Sequence, residues 1–171
     1  KIQKILDETK LLIGHNLKFD LSWLLESGFK YDGNVYDTMI GEYILNRGIR
    51  KSLTLQMCCQ RRKIGAKDDR IKEWMDRGIS FENIPADIVE EYGKIDVAIT
   101  RKLFDSQMED LRADKNKHLL KTVKMMNEFL IVLTDMERNG ININLEDLSQ
   151  VEKEYRAEYA YLKQKIDKIV Y

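Results

Sequence analysis

The spacing of apolar residues changes along this chain, and each change marks a different element. Over residues 1–9, Ile2, Ile5 and Leu6 recur on one helical face. Leu11, Leu12 and Ile13 form a continuous apolar run closed by Gly14, which suits a buried strand. Helical spacing returns with Leu17, Leu21, Leu24 and Leu25 and stops at Gly28, a residue that readily leaves the right-handed region. Asn34, Val35 and Tyr36 predict a second strand. Asp37 then offers an N-cap carboxylate to a helix over 38–46, with Gly48 beyond its end.

Further on, Ser52 is the expected cap of a helix reaching about Arg61. Residues 63–85 are mixed, with a charged stretch at 67–70, a short helix around 71–77 and a loop holding Pro85. Proline fits the first turn of the next helix, where its missing N–H costs nothing. That helix is expected from Ala86 to Arg112, because Ile88, Val89, Tyr92, Ile95, Ile99 and Leu103 keep helical spacing. Another is expected over 118–138, ending at Asn139–Gly140. Ile141–Asn142–Ile143 reads as a minimal strand, Asn144 as a cap, and 145–170 as a last helix. The pattern is α/β at first and wholly helical from about residue 86, with no internal repeat.

Composition narrows this picture only a little. The 171 residues include 29 basic and 29 acidic side chains and a single proline, so the net charge is zero and nothing suggests a disordered tail. A chain that wraps duplex DNA non-specifically carries a basic excess. Here any basic groove must be local, balanced by carboxylates elsewhere. The two cysteines, Cys58 and Cys59, are neighbours, which disfavours disulfide geometry; they read as small apolar helix residues in a reducing compartment. No apolar run approaches a membrane span and no signal-peptide pattern is seen. The chain opens at Lys1 in mid-helix, as a piece of something longer would.

Candidate chemistry gathers at two places. Asn16-Leu17-Lys18-Phe19-Asp20 follows the first strand and opens a helix, so Asp20 is either a first-turn residue favoured by the helix dipole or a functional carboxylate at a strand end. Tyr92 and Asp96 lie four apart in a helix and share a face, about 6 Å apart along its axis. Either alone reads as a core aromatic or a solvated carboxylate. Two carboxylates from separate segments with a tyrosine, however, are what a two-metal phosphodiesterase uses: paired divalent ions clamp the phosphate and a phenol orients water.

The string LLIGHNLKFD resembles the second exonuclease motif of DnaQ-like proofreading domains, Asn-x-x-Tyr/Phe-Asp, and EYGKIDVAIT resembles their third, Tyr-x-x-x-Asp. Between them VYDTMIGEYILN and KSLTLQMCCQRR are similar to the Asp-Thr-Met and Ser-Leu helices of the same domains. MNEFLIVLTDMERNGININLEDL resembles the linker helix that enters the thumb of family A (polymerase I-type) DNA polymerases, and KDDRIKEWMDRG is closer to phage members.

The resemblance implies a partial ribonuclease H-like exonuclease domain over 1–115, then a linker helix and the start of the thumb over 116–171. It implies Asp20 and Asp96 as metal-site carboxylates for Mg²⁺ or Mn²⁺, Tyr92 as the positioner of the attacking water, and Asn16 and Phe19 as holders of a frayed 3′ end. The implied partners are DNA, as a single-stranded 3′ end at the exonuclease site and a primer–template duplex near the thumb, and the remainder of the polymerase. A cytoplasmic location, the host's for a phage protein, follows, with no membrane role.

The chain departs from this pattern in its first motif. The family carries Asp-x-Glu on its first strand, and the one such string here, Asp135-Met136-Glu137, sits at a predicted helix end instead. Half of the carboxylates are therefore expected from upstream of Lys1, and the isolated chain is expected to be inactive. Gly93, inside the third motif, either weakens its helix or admits another backbone closely. A non-catalytic exonuclease-like spacer and an unrelated helical interaction module are the competing readings.

Overall fold

The structure, a computed structural model, describes residues 1–65 and 70–170. Residues 67–69 of the charged stretch lie outside them. The elements run α1 (Ile2–Glu8), β1 (Leu11–Gly14), α2 (Leu17–Glu26), β2 (Asn34–Asp37), α3 (Thr38–Leu45), α4 (Leu55–Arg62), α5 (Arg70–Asp76), α6 (Ala86–Arg112), α7 (Lys117–Asn139) and α8 (Leu145–Val170), with a 3-10 turn at Phe81–Asn83 before α6. The α/β class is observed.

β1 and β2 pair in parallel, with Leu11 opposite Asn34 and Gly14 opposite Asp37. A parallel pair needs a crossover, and α2 supplies it. Both strands therefore end side by side, and both are followed by a helix N-terminus. Asn16 stands just before α2, at its N-cap position, and its φ of 61° lies in the left-handed region that asparagine tolerates better than most residues.

Three apolar clusters form the core of the unit spanning Lys1–Arg138. Leu17 and Leu21 of α2 meet Val35 of β2 and Leu130 of α7. Tyr36 of β2 meets Leu111 of α6 and Val123 of α7. Leu55, Cys58 and Cys59 of α4 meet Ile99 and Leu103 of α6. α6 thus runs through two clusters, with Leu103 and Leu111 wholly buried. The cysteines are free and buried, in keeping with their reading as small apolar helix residues.

A polar network lies between these clusters. Glu42, only 4% exposed, accepts from Arg61 and Arg62, and Gln107 donates to its Oε2 at 3.1 Å and to the Thr38 carbonyl at 2.9 Å. Tyr36 donates to Gln107 Oε1 at 3.2 Å. Burial raises the Tyr36 phenol far above its ordinary range. A buried carboxylate is tolerable only when so answered.

Two local expectations fail. Residues 141–143 form no strand: Ile141 is 90% exposed, and three residues without a neighbouring strand have no ladder to join. The cap of α4 is Thr54 rather than Ser52; its Oγ1 accepts from Met57 N at 3.4 Å. Asn144 caps α8 as expected, accepting from Glu146 N at 3.0 Å. The second unit, Asn139–Tyr171, consists mainly of α8.

Candidate excision site

The parallel register decides where the motif residues stand. Because Gly14 lies opposite Asp37, the Asp37 carboxylate reaches the start of α2: Oδ1 accepts from Asn16 N at 3.0 Å and Oδ2 from Leu17 N at 2.9 Å. Oδ1 also accepts from Met39 N at 2.8 Å, capping its own helix. One buried carboxylate serves two helix N-termini. His15, just before α2, bridges Thr38 Oγ1 at 2.9 Å and the Leu53 carbonyl at 2.7 Å, so Nε2, which faces the carbonyl, must carry a hydrogen. Together these contacts hold the Asn16–Asp20 turn on the sheet.

Asp20 lies in the first turn of α2 and is exposed. Its carboxyl is raised above the ordinary aspartate range, first by its partial withdrawal from water and further by the negative charge of Asp37, with a bond to its own backbone N–H working the other way. A cation would relieve that repulsion.

Asn16 and Phe19 line a cleft of about 400 Å³ together with Lys18, Trp23 and Glu137. Phe19 and Trp23 meet edge to face with ring centres 6.3 Å apart, and each is about 60% exposed. Lys18 pairs with Glu137 of α7 across its mouth. Asp20 does not line this cleft, and neither do Tyr92 and Asp96. The latter two occupy consecutive turns of α6, both half-buried, and the Asp96 charge helps raise the Cys59 thiol, after burial and Glu42. The structure therefore gathers Asn16, Phe19 and Asp20 at the start of α2, and sets Tyr92 and Asp96 together where α6 passes α4.

Sequence reasoning missed four contributors. Trp23 was legible, since it stands four residues from Phe19 on the same helix face. Asp37 was read as the cap of one helix only, because its second role needs the strand register. His15 makes its bonds to residues 23 and 38 positions away. Glu137 reaches the cleft only through the packing of α7 on α2, and no local pattern announces it. Asp135 and Glu137 do lie at a helix end, in α7.

The resemblance to proofreading exonucleases implies divalent metals. Aspartate oxygens suit a hard cation, and the raised proton affinity of Asp20 favours one. The donor count is incomplete, however: among the described residues no group of three or more His, Cys, Asp or Glu comes together to hold an ion. Gly93 shows no close approach, since a Cβ there would meet nothing within 4 Å.

Known proteins resemble this chain over most of its length. DNA polymerase I of Borreliella burgdorferi is 28% identical over 148 residues, covering 86% of this chain and 16% of that protein. DNA polymerase I of Chloroflexus aurantiacus is 30% identical over 155 residues, covering 89% of this chain and 16% of that protein. A DNA polymerase of Bacillus phage SP01 is 28% identical over 170 residues, 96% of this chain and 18% of the relative. The chain thus spans about a sixth of the length of these relatives, and the phage and bacterial proteins match it at a similar level. The sequence profile of the 3′-5′ exonuclease family matches residues 1–112, the stretch that holds both motifs, and the chain belongs to that family.

Proposed function

We propose that this chain is part of the proofreading exonuclease of a family A DNA polymerase, removing nucleotides from single-stranded 3′ ends. Residues 1–115 would carry the exonuclease part, and 116–171 the linker helix and the start of the thumb. The observation that supports this most is the cleft at the start of α2, lined by Asn16 and two exposed aromatic rings, with Asp20 next to Phe19 in the first turn of the same helix. Aromatic faces stack unpaired bases, and a site of this size admits no duplex.

In this reading Asp20 and Asp96 are partial ligands of Mg²⁺ or Mn²⁺, completed by carboxylates outside the segment. The bound ions supply charge neutralisation at the scissile phosphate. Asn16 and Phe19 hold the frayed end, and the Tyr92 hydroxyl orients water. DNA and the rest of a polymerase chain are the partners, and the cytoplasm the location. No helix of the described residues is long and apolar enough to cross a membrane.

The test pairs two assays on one preparation of the full-length polymerase: excision from a mismatched primer end and extension of a matched one. Asp20→Ala and Asp96→Ala are expected to abolish excision and leave extension nearly intact. Equal loss of both would make Asp96 structural and favour a non-catalytic spacer.

A further inference from the structure

A second concavity, of about 480 Å³, opens where α3 and α4 meet the end of α6 and shares no residue with the excision cleft. Arg47, Lys51, Arg61, Arg62 and Lys115 contribute five cationic side chains to its lining, against the carboxylates of Glu42 and Asp110. Both carboxylates are already engaged, Glu42 by Arg61 and Arg62, and Asp110 by Arg62 at 2.7 Å. The charge left over is positive.

Two buried donors in the same lining are unanswered. Asn46 Nδ2 and Arg61 Nε are shielded from solvent and meet no acceptor among the described residues. As these side chains stand, neither donor is open to the concavity, and a ligand oxygen reaches them only where Asn46 or Arg61 turns outward. The backbone beside them is held in an unusual state as well. Arg47 has a φ of 50°, a left-handed conformation that disfavours branched side chains, and its guanidinium is fixed by Asn116 Oδ1 at 2.6 Å and the Lys115 carbonyl at 3.2 Å.

We infer that this concavity binds the phosphodiester backbone of a DNA strand at a second site, apart from the excision cleft. Its lining offers N–H donors and positive charge but no aromatic ring, so it can grip phosphate and sugar without stacking a base. Asp110 stands fourteen residues beyond Asp96 on α6, about 21 Å along a straight helix. A strand lying on both places would be held several nucleotides from its end, which fixes its path without reading its sequence. That the ligand is DNA, and its path toward Asp96, rest on the function proposed above; the basic lining itself does not.

The test uses the 171-residue chain, isotope-labelled for NMR, and an eight-nucleotide oligothymidylate. The oligonucleotide is expected to shift the Asn46 side-chain amide, and to do so equally in a Phe19→Ala/Trp23→Ala variant that lacks the aromatic cleft. Within that variant, Lys51→Gln with Lys115→Gln changes only exposed side chains. It is expected to weaken fluorescence-anisotropy binding about tenfold and to flatten the salt dependence by about 1.4 in log–log slope, roughly 0.7 for each phosphate no longer neutralised. Arg47→Gly, which suits the left-handed backbone, is expected to weaken binding similarly while retaining the fold. An unmoved Asn46 amide, or an unchanged affinity and slope in the lysine variant, would overturn the inference. Thymidine monophosphate binding there as tightly as the oligonucleotide would overturn the strand assignment in favour of a free nucleotide.

Discussion

Asp37 accepts the backbone N–H of Leu17 at 2.9 Å, twenty residues away in sequence, while also accepting that of Met39 at 2.8 Å. The carboxylate is 1% exposed, and its removal leaves three backbone donors without their acceptor, the Leu17 N–H in a buried position. Asp37→Ala is expected to destabilise the chain by about 2–4 kcal/mol, the sum of two lost caps and the desolvation they leave unanswered. Denaturant unfolding followed by circular dichroism measures this, and a loss below about 0.5 kcal/mol would mean that other groups cap α2.

Gly93 sits inside α6 with open space where a Cβ would stand. Gly93→Ala is therefore expected to stabilise the chain by about 0.5–1 kcal/mol through helix propensity alone. A destabilised variant in thermal melts would reveal a neighbour that the geometry does not show.

The Cys58 thiol is pushed up to about 11, chiefly by burial and then by the Glu42 charge. Its folded pKa stands above the ordinary value of 9.0, so the folded state holds its proton more tightly than the unfolded one. The stabilisation is complete below pH 9.0 and is lost as pH rises through about 11. Two results are expected: no alkylation of the native chain by iodoacetamide at about pH 8, and a midpoint of denaturation that falls between pH 9.0 and about 11 less steeply in Cys58→Ala. Rapid native labelling under those conditions would contradict the burial of this side chain.

Tyr92→Phe in the full-length polymerase removes one hydroxyl and leaves the aromatic body. If that hydroxyl positions water, excision slows but survives, by less than in Asp96→Ala, because positioning groups contribute less than ligands. Single-turnover excision rates separate the two. A Tyr92→Phe rate equal to wild type would remove the tyrosine from the site.

Much of this architecture was legible because it rests on local periodicity. The bounds of α6 follow from its apolar spacing and Pro85, and Asp37 announces α3 through its own turn. What could not be read rests on contacts between distant segments. Ser52 and Thr54 are equally good caps on paper, and only the backbone path chooses Thr54. Ile141 and Ile143 alternate like a strand, but alternation builds a strand only where a partner offers hydrogen bonds. The motif residues were visible as motifs; the cleft around Asn16 and Phe19 was not, because Glu137 enters it from another helix.

α8 differs from the rest in what its side chains cover. From Leu145 to Ile169 every side chain is exposed, including Tyr155, Tyr159 and Leu162, and the helix leans on pairs such as Glu152–Arg156 one turn apart. Such pairs are worth only a few tenths of a kcal/mol each. Amide protons in α8 of the isolated chain will consequently exchange with deuterium by local opening, orders of magnitude sooner than those around Leu103 and Leu111, which await global unfolding. A single molecule of this chain is thus two clocks: a slow one wound by α6, and a fast one at its carboxyl end that any partner covering α8 would stop.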